Sequence, residues 1–483
     1  MISKVLWNKE RLKQAIGSDL IYIDENYDYN IDSVVFDNRR VNKYSLFIAK
    51  KGENNDGHNF IEETLKNNKN VVALANENFS EKFKNNSRII LVKDTVLAME
   101  KMAKYARNTV KGKVIGITGS LGKTTTKELF YSCLSNFGKV HTNIMSFNNY
   151  FGVMTTLCNL SQDVDFAVIE MGMNAKGEME KLSEIVRPDI TTILNIASAH
   201  LEFFKEEKNI AYAKSEIFKF QKKDGFTVLN KANKYFDVME SEAKKNEIND
   251  ILTFSEDKNI DATVVLEKYD YDEANDFYNA EYKIANKIIN FELTSSDYNV
   301  ALNLMSLLCV MNKLNLDFDK IKDTIKNFGT PRGRNNIEKT VYNGKNITII
   351  NGTYNAVNPL VFVRGLELMD KISKKEKSSR RIAFFGDIKE AGEKTDEFLL
   401  SLKQPILDSE VDILFCIGDK IKVLYDSLKD EIDARYFRES KEIVPLLKDL
   451  LKDGDLVFIK GSKGIKTWKI LDEITGYPTD IFI

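Results

Sequence analysis

Cysteine, histidine, net charge and long apolar runs are all scarce in this 483-residue chain, and each scarcity narrows what the chain can be. The 4 cysteines, Cys133, Cys158, Cys309 and Cys416, stand far apart with no C-x-x-C pair. That excludes a disulfide framework or a cysteine zinc site and predicts reduced, mostly buried thiols. Only 3 histidines occur, so each is examined for chemistry. Lys+Arg 70 against Asp+Glu 72 leaves a net charge of -2, and nothing in that balance calls for nucleic acid or an anionic membrane. No apolar run approaches the roughly 18 residues of a membrane span, and the N-terminal MISKVLWNKERLKQ lacks a signal-peptide core, so the expected location is the cytoplasm. No internal repeat or low-complexity tract is evident.

What is present is a globular composition, 43% hydrophobic and 29% charged, at a length that predicts roughly two to four domains. The first hundred or so residues mix short strand-like runs (SVVFD, YSLFIAK, NVVALA) with helical pieces and lack a phosphate loop. From about Lys113 strands alternate with helix-sized stretches (KVIGIT, FAVIEMG, DITTILNI, GFTVLN), the pattern of a parallel sheet with crossover helices. At FGTPRGRNN the composition shifts, and beyond it NITIIN, RRIAFFGD, DILFCIGDK and DLVFIKGS repeat the alternation. The expectation is an α/β protein of three units, 1–110, 111–330 and 331–483.

Residues 116–130, GITGSLGKTTTKELF, carry the sharpest signal. A strand-like Val114-Ile115 precedes them and a helix-like run follows. The glycines let backbone N–H groups close around phosphate oxygens, while the helix N-terminus and Lys123 add positive charge and Thr124 offers a hydroxyl to Mg²⁺. The spacing is T-G-S-x-G-K-T rather than the general Walker A pattern. FAVIEMGMN then delivers Glu170 to the carboxyl end of a strand, where ligands bind in open α/β sheets. The next strand delivers Asn195 and His200 to the same edge. Lys214 follows on an apparent helix; on one straight helix the fourteen residues from His200 would span roughly 21 Å, too far to share one ion.

In this order and spacing, T-G-S-x-G-K-T, I-E-M-G, N-x-x-x-x-H and A-K-x-E-I-F resemble the Mur ligases, and within them the enzymes that add D-alanyl-D-alanine to a peptidoglycan precursor. Asp37-Asn38-Arg39 and LFIAKKGENNDGHNF resemble the UDP-binding domain of those enzymes, Phe147-Asn148-Asn149 with Gly152 their N-F-N-N-x-I-G segment, and Gly333-Arg334, FFGDIKEAG and IKGSKG their third-domain motifs. The resemblance implies an N-terminal UDP-binding α/β domain, a central P-loop parallel-sheet ATPase domain and a C-terminal Rossmann-like domain. It also implies a reaction: ATP phosphorylates the carboxylate of a UDP-N-acetylmuramoyl-tripeptide, and the amine of D-Ala-D-Ala attacks the acyl phosphate. Lys123, His200 and Lys214 would be catalytic. Gly119, Ser120, Leu121, Gly122, Lys123, Thr124, Thr125, Asn303 and Arg334 would hold ATP. Thr124, Glu170, His200 and a carbamylated Lys214 would hold Mg²⁺. Asp37, Arg39, Asn148 and Asn149 would meet the UDP substrate, and Tyr354, Asn355 and Asn358 the amine. A monomer acting on small molecules is expected.

Three departures stand out. Met145-Ser146 replaces the expected Gly-Asn before Phe147. YNVALNL replaces H-N-V-x-N-A-L, so the histidine is Tyr298 and the asparagine, Asn303, lies one position late. NGTYNAVNP replaces D-D-x-Y-N-A-N-P, with Asn351-Gly352 for two aspartates and Val357 inserted. Drift of that loop with D-Ala-D-Ala retained is the expected reading; a changed acceptor, as in another amide ligase of the superfamily, is the alternative. A silent nucleotide-binding scaffold is disfavoured because Lys123, Thr124, Glu170, His200 and Lys214 are all present.

Overall fold

The computed structural model describes residues 5–52, 55–83, 85–197, 204–275, 277–285, 287–294, 298–356, 358–376, 380–388 and 391–477. Three sheets follow one another along the chain. The first comprises β1 (Leu20–Tyr22), β2 (Ser33–Val35), β3 (Ser45–Ile48), β4 (Val72–Asn76) and β5 (Ile89–Val92), in the order β1-β5-β4-β3-β2. Only β1 runs antiparallel to its neighbour.

The central sheet holds β6 (Lys113–Thr118), β7 (Val140–Thr142), β8 (Phe166–Glu170), β9 (Ile190–Ile193), β10 (Phe226–Asn230), β11 (Ile251–Ser255), β12 (Val264–Asp272), β13 (Phe277–Ile284) and β14 (Lys287–Leu293). Their order is β14-β13-β12-β11-β10-β9-β6-β8-β7. The strands from β7 to β12 in this order are parallel, and β8 is buried along its whole length, as expected of a strand covered on both faces. The β12–β14 meander is antiparallel, and β13 alternates buried with more exposed residues, as a sheet with one solvated face does. Strand β6 has β8 on one side and β9 on the other, so the switch in strand order falls at its carboxyl end, where a ligand crevice opens.

The third sheet comprises β15 (Asn336–Tyr342), β16 (Lys345–Gly352), β17 (Arg381–Gly386), β18 (Ile413–Ile417), β19 (Asp433–Phe437) and β20 (Asp455–Lys460), ordered β15-β16-β20-β17-β18-β19. All pairs except β15–β16 are parallel. Helix Leu360–Glu376 lies close on β20 because Gly365 has no Cβ; one there would meet the Phe458 ring at 2.0 Å.

The first sheet is tied to the second through one continuous core. Ala98, Met99, Met102, Ala103 and Ala106 of helix Thr95–Thr109 share a buried cluster with Val153, Met154 and Leu157 of helix Tyr150–Cys158. Trp7 Nε1 donates to the Cys158 carbonyl at 2.8 Å, and Asn159 exchanges two 2.8 Å hydrogen bonds with the backbone of Val34. All four cysteines are buried and free, and burial pushes the thiols of Cys133 and Cys416 up to about 12. Among the described residues no helix is long and apolar enough to cross a membrane.

Candidate active site

The carboxyl ends of the central and third sheets face a common cleft of about 620 Å³. Its central side is lined by residues following β6, β8, β9, β10 and β11, and its other side by Arg334, Tyr354, Asn355, Arg364 and Lys460.

The phosphate loop leaves β6 at Thr118 and turns into helix Lys123–Leu134. Gly122 is required twice over: its φ of 83° is left-handed, and a Cβ would stand 2.9 Å from Asn303 Oδ1. Asn303 is therefore packed against the loop itself, buried, with Nδ2 lacking a hydrogen-bond partner among the described residues. The loop is braced from behind by the segment after β9. Ser120 N and Leu121 N donate to the Asn195 carbonyl and Oδ1, both at 2.9 Å, and the Ser120 hydroxyl exchanges two 3.0 Å bonds with the backbone of Ala197. Lys123 Nζ lies back over the loop on the Gly119 carbonyl at 2.8 Å. Thr125 lines the cleft.

Glu170 is fully buried, not a solvated strand end. Its Oε1 accepts from Thr124 Oγ1 at 3.1 Å and Asn148 Nδ2 at 2.6 Å, while Oε2 is buried without a partner among the described residues. An orphaned carboxylate oxygen beside a threonine hydroxyl suits a hard divalent cation, so these residues fit Mg²⁺. Among the described residues no group of three or more His, Cys, Asp or Glu side chains gathers. His200 lies outside the described residues, as does Val357.

Arg334 reaches across from the third unit. Its Nη2 donates to Thr124 Oγ1 at 2.7 Å, and its guanidinium stacks 3.9 Å from the Tyr354 ring centroid. Lys214, at the end of helix Glu207–Ser215, is fully buried. Burial, and then the positive charge of Lys123, holds its ammonium well below the ordinary lysine range.

The remaining predicted residues are distributed as follows. Asn148 stands against Glu170, and Asn149 caps helix Tyr150–Cys158 by accepting from Gly152 N at 2.9 Å. Asp37 caps the turn Asn38–Arg40 and pairs with the exposed Arg39 at 2.8 Å, away from the cleft. Between the first unit and the central one, Lys50 stands 3.4 Å over the Phe151 ring and Arg40 4.7 Å over Phe147. Tyr354 and Asn355 line the cleft, whereas Asn358 is buried and accepts from Leu360 N at 2.8 Å. Asp56 and His58 of the GENNDGH motif serve structure. His58 Nδ1 meets Asp56 Oδ1 at 2.6 Å and Nε2 accepts from Asn76 N at 3.1 Å, fastening the loop to β4.

Sequence reasoning missed Lys127, Ser146 and Arg364, and quoted Lys460 within IKGSKG without giving it a role. Lys127 is fully buried; its Nζ donates to the carbonyls of Asn143 and Met145 at 2.9 and 2.7 Å and pairs with Glu128 at 2.6 Å. It thus props the loop carrying Ser146, whose hydroxyl lies 3.3 Å from Thr124 Oγ1. Nothing in K-T-T-T-K-E separates Lys127 from an exposed helix lysine. Besides that motif, Lys460 carried one signal, a charge ending a strand that is otherwise apolar after its first residue.

Residues 117–313 match the Mur ligase middle domain. The UDP-N-acetylmuramoyl-tripeptide--D-alanyl-D-alanine ligase of Rickettsia prowazekii is 31% identical over 468 residues, 97% of this chain and 99% of that one. The chain belongs to the Mur ligase family. The enzyme of the same name from Bacillus subtilis is 25% identical over 93% of this Mur ligase and 94% of its own length. Among solved structures, MurF from Acinetobacter baumannii superposes with a TM-score of 0.79 at 23% identity, covering 98% of this chain and 99% of that one. MurF ligase from Thermotoga maritima, solved in complex with ADP, gives 0.73 at 27% identity, covering 92% and 96%. The three-sheet α/β architecture of this Mur ligase is that of the family.

Proposed function

We propose that this Mur ligase joins D-alanyl-D-alanine to UDP-N-acetylmuramoyl-tripeptide at the cost of ATP, releasing ADP and phosphate. The observation that carries the reading is the shared cleft: a phosphate loop and buried Glu170 on one side, and Arg334 in contact with Thr124 from the other. The nucleotide and the acceptor amine then arrive from opposite walls. ATP phosphorylates the peptide's terminal carboxylate, the amine attacks the acyl carbon, and phosphate leaves.

Lys123, the amides of Gly119–Thr125 and Arg334 hold the phosphates in this scheme, with Asn303 toward the nucleotide. Mg²⁺ held by Thr124 and Glu170, with His200 toward a second ion, would offset the charge of carboxylate and γ-phosphate as they approach. Lys214 is assigned as a carbamate. Burial disfavours the Lys214 ammonium, and its neutral amine is a nucleophile for CO₂; the N–C bond forms, a proton leaves to solvent, and the product would be an anionic metal ligand. Asp37, Arg39, Asn148 and Asn149 are proposed on the UDP substrate, and Tyr354, Asn355 and Asn358 around the amine. We assign the domains to 1–110, 111–330 and 331–483, in keeping with three successive sheets, and infer a cytoplasmic monomer.

The altered loop at 351–359 supports retention of D-Ala-D-Ala. Asn351 is fully buried, donates to Glu338 Oε1 at 2.7 Å and accepts from the Thr353 hydroxyl at 2.8 Å, so the replacement holds the loop's shape. The test offers purified protein ATP, Mg²⁺ and the UDP-tripeptide with D-Ala-D-Ala, D-Ala-D-Ser, D-Ala-D-lactate and single amino acids at equal concentration, and weighs the products. The dipeptide D-Ala-D-Ala should dominate; a tenfold preference for another acceptor, about 1.4 kcal/mol, overturns the assignment.

A further inference from the structure

Lys460 ends β20 at the wall of the cleft, and its side chain is only 4% exposed. No hydrogen bond or carboxylate partner of its Nζ is found among the described residues. A buried ammonium without a counter-ion is costly, and such a group is retained where something else supplies the missing charge.

The loop cannot supply it. Gly352 stands where the resembling ligases carry the second of two aspartates, and a Cβ there would come within 2.6 Å of Lys460 Cδ and of Asn335 Oδ1. The lysine stem occupies the room a carboxylate at 352 would need. The surrounding wall has the same sign. Arg334, Arg364 and Lys460 face the cleft from the third unit, whereas among the described residues the acids lining it, Glu170, Glu178 and Glu256, come from the central one. Arg334 is engaged with Thr124 at the nucleotide corner. Arg364 bonds Glu367 through Nη1 at 3.0 Å but keeps a buried Nε with no partner among the described residues. The close packing of Gly365 on Phe458 sets Arg364 and Lys460 on neighbouring elements of that wall.

We infer that Lys460, assisted by Arg364, receives the carboxylate of the incoming amine substrate and thereby selects acceptors that carry one. The inference rests on the ligase reading above. In the cleft an acceptor lacking the carboxylate leaves the Lys460 ammonium and the Arg364 Nε unmet, and unmet buried polar groups discriminate strongly. Lys460 is a specificity residue in this account, distinct from the groups that handle ATP.

The experiment compares initial rates with D-Ala-D-Ala and with its C-terminal amide, at saturating ATP and UDP-tripeptide. The wild type should favour the free acid by at least tenfold in kcat/KM, equivalent to about 1.4 kcal/mol. Lys460→Met should raise the KM for D-Ala-D-Ala at least tenfold and reduce the preference to threefold or less, leaving the KM for ATP within twofold. Arg364→Gln should move the preference in the same direction by a smaller factor. Equal use of acid and amide by the wild type overturns the inference without any variant. So does a Lys460→Met enzyme whose kcat falls alike on both acceptors with the preference intact, which would mark the lysine as a proton acceptor instead. If the wild type ligates a different amine, the ligase reading fails in its acceptor; the same pairing of that amine with its uncharged form then decides the inference.

Discussion

Met145 holds a backbone conformation that its side chain opposes, and replacing it with glycine should stabilise the protein. Its φ is 54°, in the left-handed region, at the position where the resembling ligases carry glycine. The conformation is imposed from outside: Lys127 Nζ donates to the Met145 carbonyl at 2.7 Å and to that of Asn143 at 2.9 Å. Asn143 in turn accepts from Glu170 N at 2.7 Å. For a residue with a Cβ this region costs about 1–2 kcal/mol. Glycine removes that cost and adds about 0.5–1 kcal/mol of chain entropy, so the net gain from relieving strain lies within about 0–1.5 kcal/mol and centres on about 0.75 kcal/mol. Met145→Ala is the control, since it removes the same side-chain atoms beyond Cβ and keeps the strain. In differential scanning calorimetry the glycine variant should melt about 1–4 °C above the alanine variant, taking 2–4 °C per kcal/mol for a unit of about 200 residues. A glycine variant that melts at or below the alanine variant refutes the argument.

Three further outcomes follow from the site. Lys123→Ala should abolish product formation while leaving UDP-substrate affinity within about twofold, because the proposed UDP residues Asp37 and Arg39 lie on a different unit and Asn148 and Asn149 lie outside the phosphate loop; near-normal turnover would remove the phosphate-loop assignment. Lys214→Ala should be nearly inactive and partly rescued by a short carboxylic acid, and the wild type equilibrated with isotopically labelled CO₂ should give a carbamate carbon resonance that the variant lacks. A fully active variant, or no such resonance in the wild type, argues against the carbamate. Burial, reinforced by Arg334, pushes the Lys460 ammonium from its ordinary 10.5 down to about 7. Between these values the unfolded chain binds more protons than the folded one, so this group's contribution to stability rises with pH from about 7 to about 10.5. Lys460→Met removes that penalty, so its stability relative to the wild type should be greatest at pH 7 and below and shrink toward pH 10; a pH-independent difference would contradict the assignment.

The motifs that could be read without a structure are those whose function is contiguous. Strand, Gly119, Gly122, Lys123, Thr124 and helix form the phosphate loop within a dozen residues, because glycine dihedrals and a helix N-terminus are local properties. Glu170 was legible for a related reason: a carboxylate closing an apolar strand must emerge at the sheet's carboxyl edge. The three α/β units were equally visible, since apolar runs of strand length alternating with helix-sized stretches admit few architectures.

Tertiary structure decided which charges are buried and what they meet. Lys127 sits on an ordinary-looking segment and Lys214 and Lys460 in motifs that do not give their burial, and only packing removes them from water and gives each a different fate: carbonyl partners, a neighbouring lysine, a wall with no acid among the described residues. Arg334 reaches Thr124, 210 positions earlier in the chain, and Asn148 turns onto Glu170. The Asp56–His58 pair, prominent as a motif, is spent on fastening a loop. Local sequence sets dihedrals and apolar periodicity, but desolvation and Coulomb energy depend on groups brought together from distant parts of the chain, so the electrostatics of this cleft exist only once the sheets face each other.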